Sequence, residues 1–130
     1  GRAKKADIPK YGIAQIKKHS KLPGLGLVEK IIEKPSIKKA PSNLYAAGRY
    51  LFNNNFFKYL SKAQPDKSNE IQLTDAIDNY IKQNNKVSAF SLDGKMFDCG
   101  NNAEYILANL EFALKDPVMK TKIKNYLKTR

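Results

Sequence analysis

An apolar run that ends in an acid, a base and a proline, Glu33-Lys34-Pro35, most strongly constrains how this chain can fold. Proline has no N–H to donate to a sheet, and it restricts the residue before it to extended conformations. Residues 27–33 are therefore predicted to form a strand, with Glu33 and Lys34 at its exposed end. In a regular strand the two side chains point to opposite faces, so they would meet different parts of a ligand.

The Glu33-Lys34 pair has two interpretations. A carboxylate accepts hydrogen bonds from two hydroxyl groups, and an ammonium group is a compact charge suited to phosphate. A ligand that carries both groups, a sugar phosphate, would use both side chains. The alternative is a strand end with two solvated charges. Residue types and spacing leave both interpretations open.

A second predicted strand, residues 44–52, follows a polar turn at residues 40–43. Its composition is typical of a largely buried strand, yet it contains Arg49. A buried arginine needs a partner or a cleft, so Arg49 is expected either in a structural ion pair or on a phosphate.

The other predicted elements follow from periodicity and from turn residues. Residues 1–10 are predicted to be polar and frayed, residues 11–16 to form a strand with Gly12 near its start, and residues 56–62 to form a short helix with Phe56, Phe57 and Tyr59 in the core. A capping box at residues 69–72 predicts a helix to about residue 84. Residues 87–92 are predicted to form a hairpin with residues 95–97 through Asp93-Gly94, followed by helices from Asn102 and after Asp116.

Length and composition bound the architecture. With 130 residues, 42% of them hydrophobic, the chain is predicted to form a single α/β unit, 1–130, around one core. No apolar run approaches 18 residues, so no membrane span is predicted. One cysteine, Cys99, excludes an internal disulfide and fits a cytoplasmic protein. Cys99 is expected to be a small buried residue, and His19, the one histidine, to lie on the surface.

The charge balance points to an anionic partner. Lys and Arg number 24 against 12 Asp and Glu, a formal net charge of +12. Nucleic acid, anionic lipid and a phosphorylated small molecule all fit such a charge. Lysine predominates, which suits a solvated surface better than bidentate recognition of phosphate or bases. A basic nucleic-acid-binding module is therefore the competing hypothesis, although no recognised nucleic-acid-binding motif is present.

Asp98 is the candidate metal ligand. It follows the predicted strand 95–97 and precedes Gly100, which leaves room for an ion beside the backbone. Mg²⁺ is usually held by one or two carboxylates together with phosphate oxygens. The alternative is an ordinary turn or cap aspartate.

Six segments occur in the order and near the spacing of one family. They are Tyr-Gly at 11–12, the run 28–35 ending in Glu-Lys-Pro, Ala-Pro-Ser-Asn at 40–43, Gly-Arg-Tyr at 48–50, Glu-Ile-Gln-Leu-Thr-Asp-Ala-Ile at 70–77 and Asp-Cys-Gly-Asn at 98–101. In these segments the chain resembles the C-terminal half of bacterial UTP-glucose-1-phosphate uridylyltransferases, and the resemblance extends from about Ile8 onward.

The resemblance implies the C-terminal part of a nucleotide-diphospho-sugar transferase fold, with a mixed sheet and flanking helices. It also implies a nucleotidyltransferase in which glucose 1-phosphate attacks the α-phosphorus of UTP, giving UDP-glucose and pyrophosphate. Gly12 would approach the sugar through its backbone, and Glu33 would bind glucose hydroxyls. Lys34 would bind the sugar phosphate and act in catalysis, and Asp98 would be one of two aspartates on Mg²⁺. We expect these residues to surround one hexose phosphate.

The resemblance is partial. The family's G-x-G-T-R loop and its second metal-binding aspartate belong to the preceding half, outside these 130 residues, so we expect the chain alone to be inactive. Glu104 stands where the family usually has glycine. The expected partners are UTP and glucose 1-phosphate, without nucleic acid or membrane, in a full-length enzyme that forms a homo-oligomer. A related pyrophosphorylase that uses another nucleotide stays open.

Overall fold

The structure is a computed structural model that describes residues 1–18 and 24–129. His19, predicted to lie on the surface, falls outside the described residues. Contacts divide the chain into two compact units, residues 1–93 and residues 94–130, where the sequence predicts one. Among the described residues, the first unit holds a sheet, two α-helices and two short 3₁₀ helices, and the second holds two α-helices.

A four-stranded sheet with the order β3-β1-β2-β4 organises the first unit. Its strands are β1 (Ile13–Lys18), β2 (Leu25–Ile32), β3 (Leu44–Tyr45) and β4 (Ser88–Phe90). Every pairing among these strands is antiparallel. The strands predicted at 11–16 and 27–33 are confirmed as β1 and β2, with ends shifted by one or two residues. The combination of a sheet with helices confirms the α/β class, whereas the predicted mixed sheet is wrong for the described strands, since they pair only in the antiparallel sense.

Two helices cover one face of this sheet. A short 3₁₀ helix (Asn54–Phe56) leads into α1 (Phe57–Leu60), and α2 spans Leu73–Lys82. The core is formed by small and large apolar side chains from the sheet and from both helical segments: Ala14, Val28, Ile31, Phe56, Ala76, Ile77 and Tyr80. Tyr59 packs against this cluster, whereas Phe57 is 62% exposed, so the prediction that all three neighbouring aromatic residues belong to the core is wrong for Phe57.

The first ten residues are ordered by a second apolar cluster, so the prediction that they fray is wrong. A 3₁₀ helix (Lys5–Lys10) buries Ile8 against Ala3 and Ile13. The backbone adds a bridge between Arg2 and Leu44. Burial of three apolar side chains offsets the conformational entropy that fixing the segment costs.

The long buried strand predicted at residues 44–52 is also wrong. β3 contains only Leu44 and Tyr45, and Gly48 has a φ of +76°, which ends extended structure. Leu51 is 97% exposed. Arg49 is exposed as well, so its predicted place in a buried strand is wrong, while a contact with phosphate stays a prediction.

The capping box predicted before α2 does not form. Gln72 is the N-cap residue and makes no side-chain cap, while Asn69 has a φ of +63°. Asp66 organises this segment instead. Its carboxylate accepts hydrogen bonds from the hydroxyl of Ser68 (2.6 Å), from the side-chain amide of Gln72 (2.9 Å) and from the N–H of Glu70 (3.1 Å). These bonds, the two from side chains first, hold the pKa of Asp66 well below its ordinary value.

The second unit consists of α3 (Asn102–Ala113) and α4 (Pro117–Lys128). Both N-caps are side chains: Asn101 accepts from two N–H groups of α3, and Asp116 accepts from the N–H of Met119. The predicted helices and the Asp116 cap are confirmed. The predicted return strand 95–97 is wrong, since residues 91–101 contain no strand. Cys99 is exposed, so its predicted burial is wrong too.

No helix within residues 1–18 and 24–129 combines the length and apolar character that crossing a membrane requires.

Candidate functional site

Glu33 lies immediately after β2, and a buried residue holds its carboxylate. The hydroxyl of Thr74 donates a hydrogen bond of 2.9 Å to Glu33 Oε2. Thr74 is the second residue of α2 and is 5% exposed, whereas Glu33 is half-buried. The carboxylate is therefore oriented by the protein while part of it faces solvent.

Gly12 lies against the same carboxylate. A β-carbon added at Gly12 would lie 2.9 Å from Glu33 Oε2 and 2.8 Å from Thr74 Cγ2. The carbonyl oxygen of Gly12 accepts a hydrogen bond of 2.9 Å from the N–H of Ala46. Two of the predicted site residues, Gly12 and Glu33, are thus brought together, with Thr74 of α2 beside both.

Lys34 is exposed and is not part of a regular strand. Its φ is +40°, a left-handed conformation that is uncommon for a residue other than glycine. Its N–H donates a hydrogen bond of 3.1 Å to the carbonyl oxygen of Tyr11, which connects the end of β2 to the residues before β1. The prediction that Glu33 and Lys34 project to opposite faces applies to a regular strand, and β2 ends at Ile32, before both residues. The Lys34 side chain instead extends from a bend that follows β2.

Two hydrogen bonds connect α2 to the end of β2, one from Thr74 to Glu33 and one from Ile31 to Asp78. Asp78 Oδ1 accepts a hydrogen bond of 3.2 Å from the N–H of Ile31, and its other oxygen lies 2.7 Å from Lys82 Nζ. Thr74 and Asp78 are one helical turn apart, and Ile31 and Glu33 are two strand residues apart, so the helix runs antiparallel to the strand along this contact. Sequence reasoning missed both Thr74 and Asp78. The available signal was two polar residues spaced i, i+4 within the apolar face of a helix, because buried polar groups need partners.

Tyr50 lies close enough to Glu33 to respond to its charge. Burial of the phenol, and then the negative charge of Glu33, raise the pKa of Tyr50. The phenol therefore stays protonated at neutral pH and can donate a hydrogen bond. Its ring is 42% exposed and stacks on Phe52, with ring centroids 6.4 Å apart.

Asp98, the candidate metal ligand, belongs to the second unit and lies in a turn before α3 rather than after a strand. Its Oδ1 accepts a hydrogen bond of 3.2 Å from the N–H of Gly100, and its backbone carbonyl accepts from the N–H of Asn101. The side chain is exposed. Within the described residues no three carboxylate, imidazole or thiol groups converge as a metal site would require. Asp98 therefore fits one oxygen ligand of a Mg²⁺ ion and not a complete site.

A cavity of about 520 Å³ in the first unit lies between α1 and α2, and none of the predicted site residues lines it. Its lining is basic and amide-rich: Lys58, Tyr59, Lys62, Asn79, Lys82 and Gln83.

The sequence of residues 1–115 matches the family model described as nucleotidyl transferase. The chain is 38% identical over 121 residues to a UTP--glucose-1-phosphate uridylyltransferase of Streptococcus pneumoniae, covering 93% of this chain and 40% of the relative. It is 37% identical over 123 residues to the protein of that name from Escherichia coli K12, covering 94% and 40%. The chain thus spans about 40% of the length of these curated relatives.

Solved structures agree with this assignment. A UDP-glucose pyrophosphorylase complexed with UDP-glucose superposes with a TM-score of 0.80 at 33% identity, covering 88% of this chain and 42% of that one. A UTP-bound UGPase from Acinetobacter baumannii gives a TM-score of 0.77 at 29% identity, covering 97% and 42%. The predicted nucleotide-diphospho-sugar transferase fold is confirmed by these likenesses. The chain belongs to the nucleotidyl transferase family.

Proposed function

We propose that this chain is the sugar-phosphate-binding part of a UTP-glucose-1-phosphate uridylyltransferase. The observation that carries the proposal is the carboxylate of Glu33, held by the buried hydroxyl of Thr74 and approached by the backbone of Gly12. The exposed Lys34 follows directly in the chain. The names of the relatives support the choice of glucose 1-phosphate as the ligand.

Each group has a distinct task in this proposal. The Glu33 carboxylate accepts hydrogen bonds from adjacent sugar hydroxyls, since a carboxylate has about four lone-pair positions. The sugar ring approaches the backbone at Gly12. The Lys34 ammonium neutralises the sugar phosphate and holds its oxygen for in-line attack on the α-phosphorus of UTP. Phosphoryl transfer depends mainly on such positioning and charge neutralisation, so Lys34 is the proposed catalytic residue of this segment.

Mg²⁺ is the proposed cofactor, and Asp98 is its proposed ligand in this chain. When bound, Mg²⁺ neutralises negative charge on phosphate oxygens. The exposed carboxylate of Asp98 supplies one ligand, and other ligands would come from the substrates, from water or from protein outside this segment.

The proposal predicts that this chain binds the sugar phosphate and that protein outside these 130 residues binds the nucleotide. The chain spans about 40% of its curated relatives, and it lacks the G-x-G-T-R loop that the resemblance assigns to the nucleotide. The 130 residues alone are therefore expected to bind sugar phosphate without turning over UTP. Use of another nucleotide, assembly into a homo-oligomer and a cytoplasmic location stay predictions.

A titration of the ¹⁵N-labelled chain with glucose 1-phosphate and UDP-glucose tests the proposal. We expect shift changes at the amides of Gly12, Glu33 and Lys34, and a loss of affinity of about tenfold or more in Glu33→Gln, since hydrogen bonds to a charged acceptor are lost. Glu29→Gln is the matched control, because Glu29 lies on β2, four residues before Glu33, and accepts a hydrogen bond from Gln15 on the exposed surface. Shifts elsewhere only, or equal affinities for both variants, would overturn the proposal.

A short DNA duplex, titrated in parallel, tests the competing function. The net charge of +12 is the observation that favours it. Duplex binding by counterion release weakens steeply as salt rises. We expect the duplex to bind more weakly than UDP-glucose at physiological salt, and tighter duplex binding with a steep salt slope would favour the competing function.

A further inference from the structure

We propose that Thr74 is a positioning residue for the sugar-binding carboxylate, and that residue 12 is glycine because the Thr74–Glu33 contact leaves no space for a side chain. This inference rests on the proposed function, since it concerns how Glu33 is held for sugar hydroxyls. It adds Thr74 to the site and gives a physical reason for glycine at position 12.

The hydrogen bond from Thr74 orients the Glu33 carboxylate and leaves most of its acceptor positions available to a ligand. The Thr74 hydroxyl donates to Oε2 at 2.9 Å, and this is the hydrogen bond that the described residues give to the carboxylate. One of about four lone-pair positions is used, so Oε1 and the second lone pair of Oε2 stay available for two hydroxyl groups. A hydrogen bond to an ionised group is stronger than one between neutral groups, and it fixes the carboxylate plane.

Thr74 is itself held rigidly. Its side chain is buried, and β-branching restricts its χ1 angle in a helix. The helix is tied to the same strand one turn later by the hydrogen bond from the N–H of Ile31 to Asp78. The hydroxyl therefore reaches the carboxylate from a fixed point. The first turn of α2 also favours a negative charge, through the partial positive charge of a helix N-terminus.

Gly12 lies against both Thr74 and Glu33. An added β-carbon would approach both Thr74 Cγ2 and Glu33 Oε2 to less than 3.0 Å, a distance that real β-carbons do not reach. The backbone of Gly12 is held in turn by the hydrogen bond from Ala46. An alanine at position 12 would thus push the carboxylate and the threonine apart.

Affinity for glucose 1-phosphate, measured by titration of the labelled 130-residue chain, tests the inference. Thr74→Val keeps the shape and removes the hydroxyl, and we expect about tenfold weaker binding. Thr74→Ser keeps the hydroxyl, so affinity should stay within about twofold of the wild type. Gly12→Ala should weaken binding by about tenfold, and the double variant Gly12→Ala/Thr74→Val little further, because both changes break one contact.

The outcomes separate this inference from the proposed function. A wild-type chain that does not bind glucose 1-phosphate overturns the proposed function and the inference with it. A wild type that binds, together with a Thr74→Val variant of equal affinity, overturns the inference alone. Equal losses in Thr74→Val and Thr74→Ser would assign the effect to packing and would also overturn it. Fully additive losses in the double variant would refute the reason given for Gly12.

Discussion

Asp78 is expected to be the polar residue whose removal most weakens the contact between α2 and β2. Its side chain is 12% exposed, and it accepts the N–H of Ile31, a buried residue. Asp78→Ala removes this acceptor and leaves a buried N–H without a partner. The same change removes the ion pair with Lys82, whose side chain is 63% exposed.

The magnitudes of the two losses differ. An unsatisfied buried N–H costs about 1–3 kcal/mol. An ion pair with an exposed lysine contributes about 0.5 kcal/mol or less. Asp78→Ala should therefore lower the free energy of unfolding by about 1–3.5 kcal/mol. Asp78→Asn keeps an oxygen acceptor for the N–H of Ile31, so its expected loss is below about 1 kcal/mol.

Urea denaturation of the chain measures these differences. With an m-value of ~1.5 kcal/mol/M, Asp78→Ala should lower the denaturation midpoint by about 1.5 M. Lys82→Ala is the control for the ion pair and should change stability by about 0.5 kcal/mol or less. If Asp78→Asn were as destabilising as Asp78→Ala, or if Lys82→Ala matched either, the hydrogen bond from Ile31 would not be the source of the stabilisation by Asp78.

Three further predictions concern other elements of the fold. The folded-state pKa of Asp66 is held below its ordinary value of 3.8. The contribution of Asp66 to stability is therefore present above that pH and is lost as the pH falls below it. Carboxyl NMR titration of the wild type measures this pKa, and Asp66→Asn identifies the Asp66 signal by its absence. Asn101→Ala removes the acceptor for two N–H groups of α3, at 2.9 and 3.3 Å, and should cost about 1 kcal/mol, measured by exchange of the α3 amides. Gly26→Ala would place a β-carbon 2.9 Å from the carbonyl oxygen of Lys17 and should cost about 1–3 kcal/mol in thermal unfolding, whereas Gly94→Ala, with open space around it, should cost less than about 0.5.

Local signals predicted the elements whose determinants are close in sequence. Pro35 marks the end of β2, and this end is where Glu33 is found half-buried. The spacing of apolar residues predicted α2, and Asp116 before Pro117 predicted the start of α4, because a cap and a proline at the first helical position act within one turn.

The features that the sequence did not predict depend on contacts between residues far apart in the chain. The apolar composition of residues 44–52 indicates a strand, but Gly48 takes a left-handed φ and Leu51 is exposed, so the strand ends after Tyr45. Apolar composition indicates that a segment can be buried. It does not indicate whether another part of the protein covers that segment. In the same way, Thr74 contacts a residue 41 positions away, and such a partner cannot be read from local spacing.

Intermolecular NOEs between the ring protons of glucose 1-phosphate and the labelled chain test the central claim most directly. The proposal that Glu33, Thr74 and Gly12 form a sugar-binding site predicts NOEs from the hexose to the amide of Gly12 and to side-chain protons of Glu33. NOEs confined to Lys58 and Lys62, in the basic cavity between α1 and α2, would contradict it.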